Sequence, residues 1–234
     1  MIFKKKKARF VIFGLGRSGS TLLKQLLDSH PEITCEGELL NPEDNYINNP
    51  ILLKVVYKFP SQFFALRSLL SKKPVYGFTL LFYQYSPPAK LIEKLIKKNW
   101  KFIRIYRENS LDQSLSHLVA EKTKMWHRFD NHETEIPKLT VSPEELKDRL
   151  KIVKKNKQTE TKLFENFAHF KVVYEDDLKN ESDWTETTRR IFEYLGVNPA
   201  PVSASIQKTY SRPYSEIIEN YDELIKYVHN QNLA

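Results

Sequence analysis

The stretch from Arg9 to Leu27 constrains this chain more than any other. Phe10, Val11, Ile12 and Phe13 form an apolar run that breaks at Gly14 and Gly16. Small and hydroxyl residues follow, Ser18, Gly19, Ser20 and Thr21, and then Leu22, Leu23, Leu26 and Leu27 recur on one helical face. The pattern predicts a strand, a tight turn and a helix. Such a helix start leaves backbone N–H groups unpaired and aims the positive end of its dipole at the turn, which therefore suits an anion. Arg17 adds a permanent charge with a fork of donors for phosphate or sulfonate oxygens, and Ser18, Ser20 and Thr21 add hydroxyls. A turn that merely joined strand to helix would not require so many donors.

The same letters satisfy two known phosphate patterns at once. Gly14, Gly16 and Gly19 spell G-x-G-x-x-G, and Gly14 with Gly19 has Walker A spacing. Ser20 stands where the Walker lysine belongs, which disfavours an ordinary nucleoside triphosphatase or kinase. Arg17 and Ser18 put bulk and charge between the second and third glycines, and no long apolar second strand precedes Glu36, which disfavours a dinucleotide site.

The 234 residues suffice for one α/β domain with a sizeable core, and no interior linker divides them, so the expectation is a single domain over residues 1–234. The net charge of +8 is spread over many segments rather than gathered on one aromatic-studded face, which favours small anionic ligands over nucleic acid. Cys35 is the single cysteine and excludes an internal disulfide framework. The apolar stretch after Lys4 to Lys7 is too short for a signal-peptide core and no stretch has the length of a membrane span, so the expected compartment is the cytoplasm.

Strand and helix patterns then alternate. Ile33 to Glu36, Val75 to Leu80, Phe102 to Tyr106 and Lys171 to Tyr174 read as extended; Ala89 to Lys98, Ser110 to about Thr123, Glu144 to Phe170 and Asp183 to Leu195 read as helical. This predicts a central parallel sheet with helices on both faces, whose ligands sit at the carboxyl ends of the strands, where Arg17 and Arg107 both fall. His30, ahead of Pro31 at a helix end, reads as structural, and the cluster Glu175, Asp176 and Asp177 as solvated helix-capping residues. Between Asp44 and Glu93 there is no acidic residue, while six lysines and arginines alternate with many aromatics. The favoured reading is two amphipathic helices, interrupted at Pro60, that pack on the sheet; an acceptor cleft or a peripheral membrane contact is less favoured.

GRSGSTLL (Gly16 to Leu23) resembles the 5'-phosphosulfate loop of sulfotransferases that use 3'-phosphoadenosine 5'-phosphosulfate (PAPS). YRENSLDQSLS (Tyr106 to Ser116) resembles the 3'-phosphate motif of that family. KMWH (Lys124 to His127) is similar to an element of sugar-modifying members, and VVYEDDL and IFEYLGV are similar to the family's late strand and helix. Order and spacing together make the resemblance specific, and it is nearest to the bacterial carbohydrate-type branch.

The resemblance implies a P-loop-like turn after the first strand in which Arg17, Ser18, Gly19, Ser20 and Thr21 hold the 5'-phosphosulfate. It implies that Arg107 and Ser116, with Ser114 as rival to the latter, hold the 3'-phosphate. Glu38 in CEGEL (Cys35 to Leu39) matches the family's general base, with Glu36 as the alternative, and Arg17 would also stabilise charge on the leaving phosphate. The implied reaction is metal-free, in-line transfer of a sulfuryl group (EC 2.8.2 class) to a hydroxyl on a small-molecule or glycan acceptor, leaving adenosine 3',5'-bisphosphate. Thr79 departs from a lysine that similar members often carry. The rivals are a P-loop phosphotransferase and a non-catalytic nucleotide-binding module.

Overall fold

The computed structural model describes residues 8–41, 49–126, 137–205 and 212–233; Lys4 to Lys7, Asn45 and His127 lie outside them. In chain order the elements are β1 (Ala8–Gly14), α1 (Ser20–Asp28), β2 (Ile33–Glu38), α2 (Pro50–Lys58), α3 (Pro60–Leu70), β3 (Val75–Leu81), α4 (Pro88–Ile96) and β4 (Lys101–Tyr106). There follow α5 (Ser110–Thr123), α6 (Pro143–Phe164), β5 (Phe170–Val173), a π-helical turn (Tyr174–Leu178), α7 (Trp184–Leu195), α8 (Tyr214–Ile217) and α9 (Tyr221–Asn230). They form two compact units, residues 1–106 with 162–204, and residues 107–161 with 205–234.

The first unit holds a five-stranded, all-parallel sheet in the order β2-β3-β1-β4-β5. Alternation along β1 divides its core in two, because successive side chains leave a strand on opposite faces. Phe10 and Ile12 join Leu23, Leu26 and Leu27 of α1 and Ile191, Phe192 and Leu195 of α7. Val11 and Phe13 join Phe64 of α3, Leu91, Ile92 and Leu95 of α4, and Phe164. Buried on both sides, the strands read as continuous apolar runs. At the β1–β3 pairing Phe10 stands opposite Gly77. Its ring lies so close over Gly77 that a Cβ there would come within 2.2 Å of Phe10 Cζ.

The second unit closes around Leu115, Leu118, Val119, Val141, Leu146, Leu150, Ile217, Leu224 and Val228. A capping box starts α6: Ser142 Oγ accepts from the Glu145 N–H at 3.1 Å, and the Glu145 carboxylate accepts from the Ser142 N–H at 2.8 Å.

Three expectations need correction. The helix predicted from Glu144 to Phe170 stops at Phe164, since Phe164 is buried against Phe13 and Phe102, and Phe170 pairs with Ile103 as the start of β5. Asp177 is not solvated: it is buried, ion-pairs with Arg190 and accepts from the Val173 N–H at 2.7 Å. The helices of the acid-free segment do pack on the sheet, but chiefly through Val56 and Phe64, with Tyr57 and Phe63 half-buried, and most of their other large apolar side chains face outward. His30 is structural as expected; its ring nitrogens meet the Asn198 carbonyl oxygen at 2.9 Å and the Glu32 N–H at 3.0 Å, against Phe192.

Candidate functional site

The turn after β1 winds through two left-handed residues, Arg17 at φ 62° and Gly19 at φ 93°. Arg17 takes this conformation without glycine's freedom, a local cost that a surrounding structure must hold in place. Gly19 needs its missing side chain twice over, because a Cβ would sit 2.7 Å from the Tyr174 ring and φ is unfavourable for any L residue. Gly19 caps α1 with no side-chain hydrogen bond, and no acid stands in the first helical turn. The positive end of α1 and the N–H groups of its first turn are therefore not answered by a cap or a carboxylate. Ser18 is buried and donates its hydroxyl hydrogen to the Leu15 carbonyl at 2.7 Å, so that hydroxyl shapes the turn. Ser20 opens α1 almost fully buried, and Thr21 and Arg17 are half-buried.

The exits of three strands are tied together. The Phe82 N–H, just beyond β3, donates to the Gly14 carbonyl at the end of β1 at 3.0 Å. Gln84, buried in the same exit, accepts from the Leu81 N–H through Oε1 at 2.9 Å and donates through Nε2 to Glu38 Oε2 at 2.5 Å. Because a backbone N–H fixes which end of the amide is the acceptor, the NH2 end must point at Glu38.

A bulge at Gly37 separates the two candidate carboxylates. Glu36 pairs with Phe78, while Glu38 pairs with Thr79, the next residue of β3. In an unbroken strand residues two apart share a face; here the extra residue sets them beside neighbours that face opposite ways. Glu36 is thereby spent: both its oxygens take hydrogen bonds from Arg67 of α3, and Oε2 takes another from the Tyr76 hydroxyl. Burial, reinforced by this carboxylate, pushes the Tyr76 hydroxyl well above the ordinary tyrosine range, and the same contact raises Arg67. Thr79 is buried at 3% exposure, with no hydrogen-bond partner for its hydroxyl.

Arg107, Ser114 and Ser116 belong to the second unit. Arg107 ion-pairs with Asp112, whose N–H is capped by Asn109 Oδ1 at 2.8 Å. Ser114 is fully buried and gives its hydroxyl hydrogen to the Ser110 carbonyl at 2.7 Å, and Ser116 is buried as well, at 3% exposure. Lys157, at 5% exposure, donates to the Glu108 carbonyl at 3.1 Å and Ser110 Oγ at 2.9 Å, and so braces the segment after Arg107. Trp126 packs edge-on against His117.

Gln84 and Lys157 escaped sequence reasoning. An amide between two aromatics and a lysine in a highly charged helix carry no periodic signal; only the pairing of distant segments gives them partners.

A family model described as sulfotransferase family matches residues 9–52. Nodulation protein H of Rhizobium tropici is 24% identical over 219 residues, spanning 92% of this chain and 87% of that protein. A solved sulfotransferase from Alicyclobacillus acidocaldarius shares the fold, with a TM-score of 0.54 at 14% identity over 95% of this chain and 93% of that one. The chain is similar to sulfotransferases in sequence and shares the sulfotransferase fold. The residues matched by the sulfotransferase model hold the whole Arg17 turn and both glutamates. No helix among the described residues is long and apolar enough to cross a membrane.

Proposed function

We propose that the chain moves a sulfuryl group from PAPS to a hydroxyl of a carbohydrate or glycoconjugate, in the cytoplasm. The observation that carries this reading is the bulge at Gly37: Glu36 is taken up by Arg67 and Tyr76, while Glu38 is turned to the exit of β3, where it accepts from Gln84, and that exit is tied to the end of β1 from which the Arg17 turn departs.

The donor set fits the group. An uncapped helix start, two left-handed residues and a guanidinium are what a phosphosulfate requires. The backbone N–H groups of Ser18, Gly19 and Ser20, the hydroxyls of Ser20 and Thr21, and the Arg17 side chain would hold it; Arg107 and Ser116 would take the 3'-phosphate. PAPS, when bound, supplies the activated sulfuryl group. Glu38 takes the proton of the acceptor hydroxyl as that oxygen bonds to sulfur, a contribution of about 10²- to 10⁴-fold in rate. Arg17 and the start of α1 balance charge that builds on the leaving 5'-phosphate, typically the larger electrostatic effect in a positioned site. Gln84 orients Glu38.

Calorimetric binding of adenosine 3',5'-bisphosphate, ATP and NAD, with and without magnesium, tests the reading. Magnesium-independent binding of the bisphosphate alone supports it, followed by transfer of label from PAPS to one member of a glycan panel. Preference for ATP would return the chain to the phosphotransferases. Bisphosphate binding without transfer to any acceptor would leave a nucleotide-binding module.

A further inference from the structure

Ile51, Leu52, Val55 and Phe59 recur along α2 and its cap at exposures of 73, 51, 48 and 46%. Leu66, Leu69 and Leu70 do the same along α3 at 53, 52 and 59%. The intervals of one, four and eight residues in α2, and three and four in α3, set each group on one helical stripe. Neither stripe is left over from poor folding, because the opposite sides of the helices are anchored. Val56 and Phe64 are buried in the core, Asn49 Oδ1 caps the Ile51 and Leu52 N–H groups, and Tyr57 donates to the Leu40 carbonyl at 2.7 Å. Seven large apolar side chains at these exposures within twenty residues are far more than the scattered ones of an ordinary surface.

Charge selects the occupant. Lys54 and Lys58 stand exposed along the edge of the α2 stripe, and Lys72 is exposed just beyond α3. No acidic residue occurs anywhere between Asp44 and Glu93. A second copy meeting this face about a two-fold axis would set Lys54 and Lys58 against their own counterparts with no carboxylate in the segment to offset them. An anionic bilayer answers both features at once, with acyl chains for the stripe and lipid phosphates for the rim. We propose that α2 and α3 form a docking face for the surface of an anionic phospholipid bilayer. The helices lie on it rather than cross it. The proposal does not depend on the sulfuryl-transfer reading.

Flotation with phosphatidylcholine vesicles, and with vesicles also containing phosphatidylserine, tests it on the whole chain. Binding is expected to the mixed vesicles and to weaken as salt rises, since the rim charges are solvent-exposed. Replacing Lys54 and Lys58 by alanine removes about two surface cations' worth of attraction, about a 30-fold loss of affinity for the anionic vesicles. Val55→Glu with Leu66→Glu should abolish vesicle binding, while the circular dichroism and the melting temperature stay those of the wild type. Absence of binding to the mixed vesicles, equal binding by these variants, or a concentration-dependent dimer that the double glutamate variant dissolves without any vesicle binding would each overturn the proposal.

Discussion

Neutralising the two glutamates of the β2 exit one at a time should separate stability from chemistry. In Glu36→Gln the charge that receives Arg67 and Tyr76 disappears. A charge-assisted hydrogen bond contributes about 1.5–3 kcal/mol, and because the Arg67 side chain is 38% exposed, solvent screening puts the loss at the low end, about 1.5–2 kcal/mol. For a chain of this size that lowers the melting temperature by roughly 3–8 °C. Turnover per folded molecule should not change. In Glu38→Gln the amide can still accept from Gln84, so melting should stay within about 2 °C, as for a substitution of about 0.5 kcal/mol. Single-turnover sulfuryl transfer should fall about 100-fold or more, about 2.7 kcal/mol of barrier, with affinity for PAPS unchanged or slightly improved. Loss of turnover in Glu36→Gln with full activity in Glu38→Gln would mean the motif is aligned two residues out of place. Full activity in both would remove the glutamate base altogether.

Gln84→Leu keeps the volume but cannot orient Glu38; kcat should drop about tenfold with KM for PAPS unchanged and a shifted pH profile, whereas a purely structural role would show only in the melt. Arg107→Ala should weaken adenosine 3',5'-bisphosphate binding by about 1.5–3 kcal/mol and leave adenosine 5'-phosphosulfate little affected, with calorimetry on both ligands as the check. Cys35 is buried, and burial followed by the nearby Asp28 charge holds its thiol well above the ordinary range, so a thiol reagent should label it only after denaturation. Rapid labelling of the native chain would contradict that burial. Tyr76 has a raised folded-state pKa, so its stabilising contribution is present below the unfolded value and is lost as pH rises past about 10. Melts from neutral to alkaline pH should therefore fall more steeply for the wild type than for Tyr76→Phe.

The turn, the sheet and the strand ends could be read in the sequence because their signals are local: an apolar run, glycines, a leucine face. Arg17 and Arg107 follow their strands as expected, and β3, α5 and α7 lie within about a residue of their predicted bounds. What could not be read depends on register. Gly37 is the one local hint of a bulge within Cys35 to Leu39, but which glutamate it turns to which neighbours arises from how β2 meets β3, and that alone distinguishes Glu36 from Glu38. The partners of Glu36 lie 31 and 40 residues away, and Gln84 lies 46 residues from Glu38. The sequence reads Asp177 as solvated because Arg190, which draws it inward, lies 13 residues on, midway along α7. The outward leucines of α3 read as core in the sequence because periodicity identifies an apolar side without saying which neighbour it meets.

Phe10 over Gly77 sets more than local packing. Sliding β1 past β3 by one residue would pair Phe10 with Tyr76 or Phe78, whose large side chains belong to the other core, instead of with Gly77, so this aromatic and the bare backbone beneath it act as a detent on the strand pair. The slip it forbids is about 3.3 Å, the rise of one residue. By that same distance Arg17, carried on β1, would be mis-set in height against Glu38, which reaches β1 only by way of β3. A contact seven residues before Arg17 thus calibrates the height of the Arg17 turn relative to the strand exit that carries Glu38, and substitutions at position 77 should be felt first as a loss of alignment between the two.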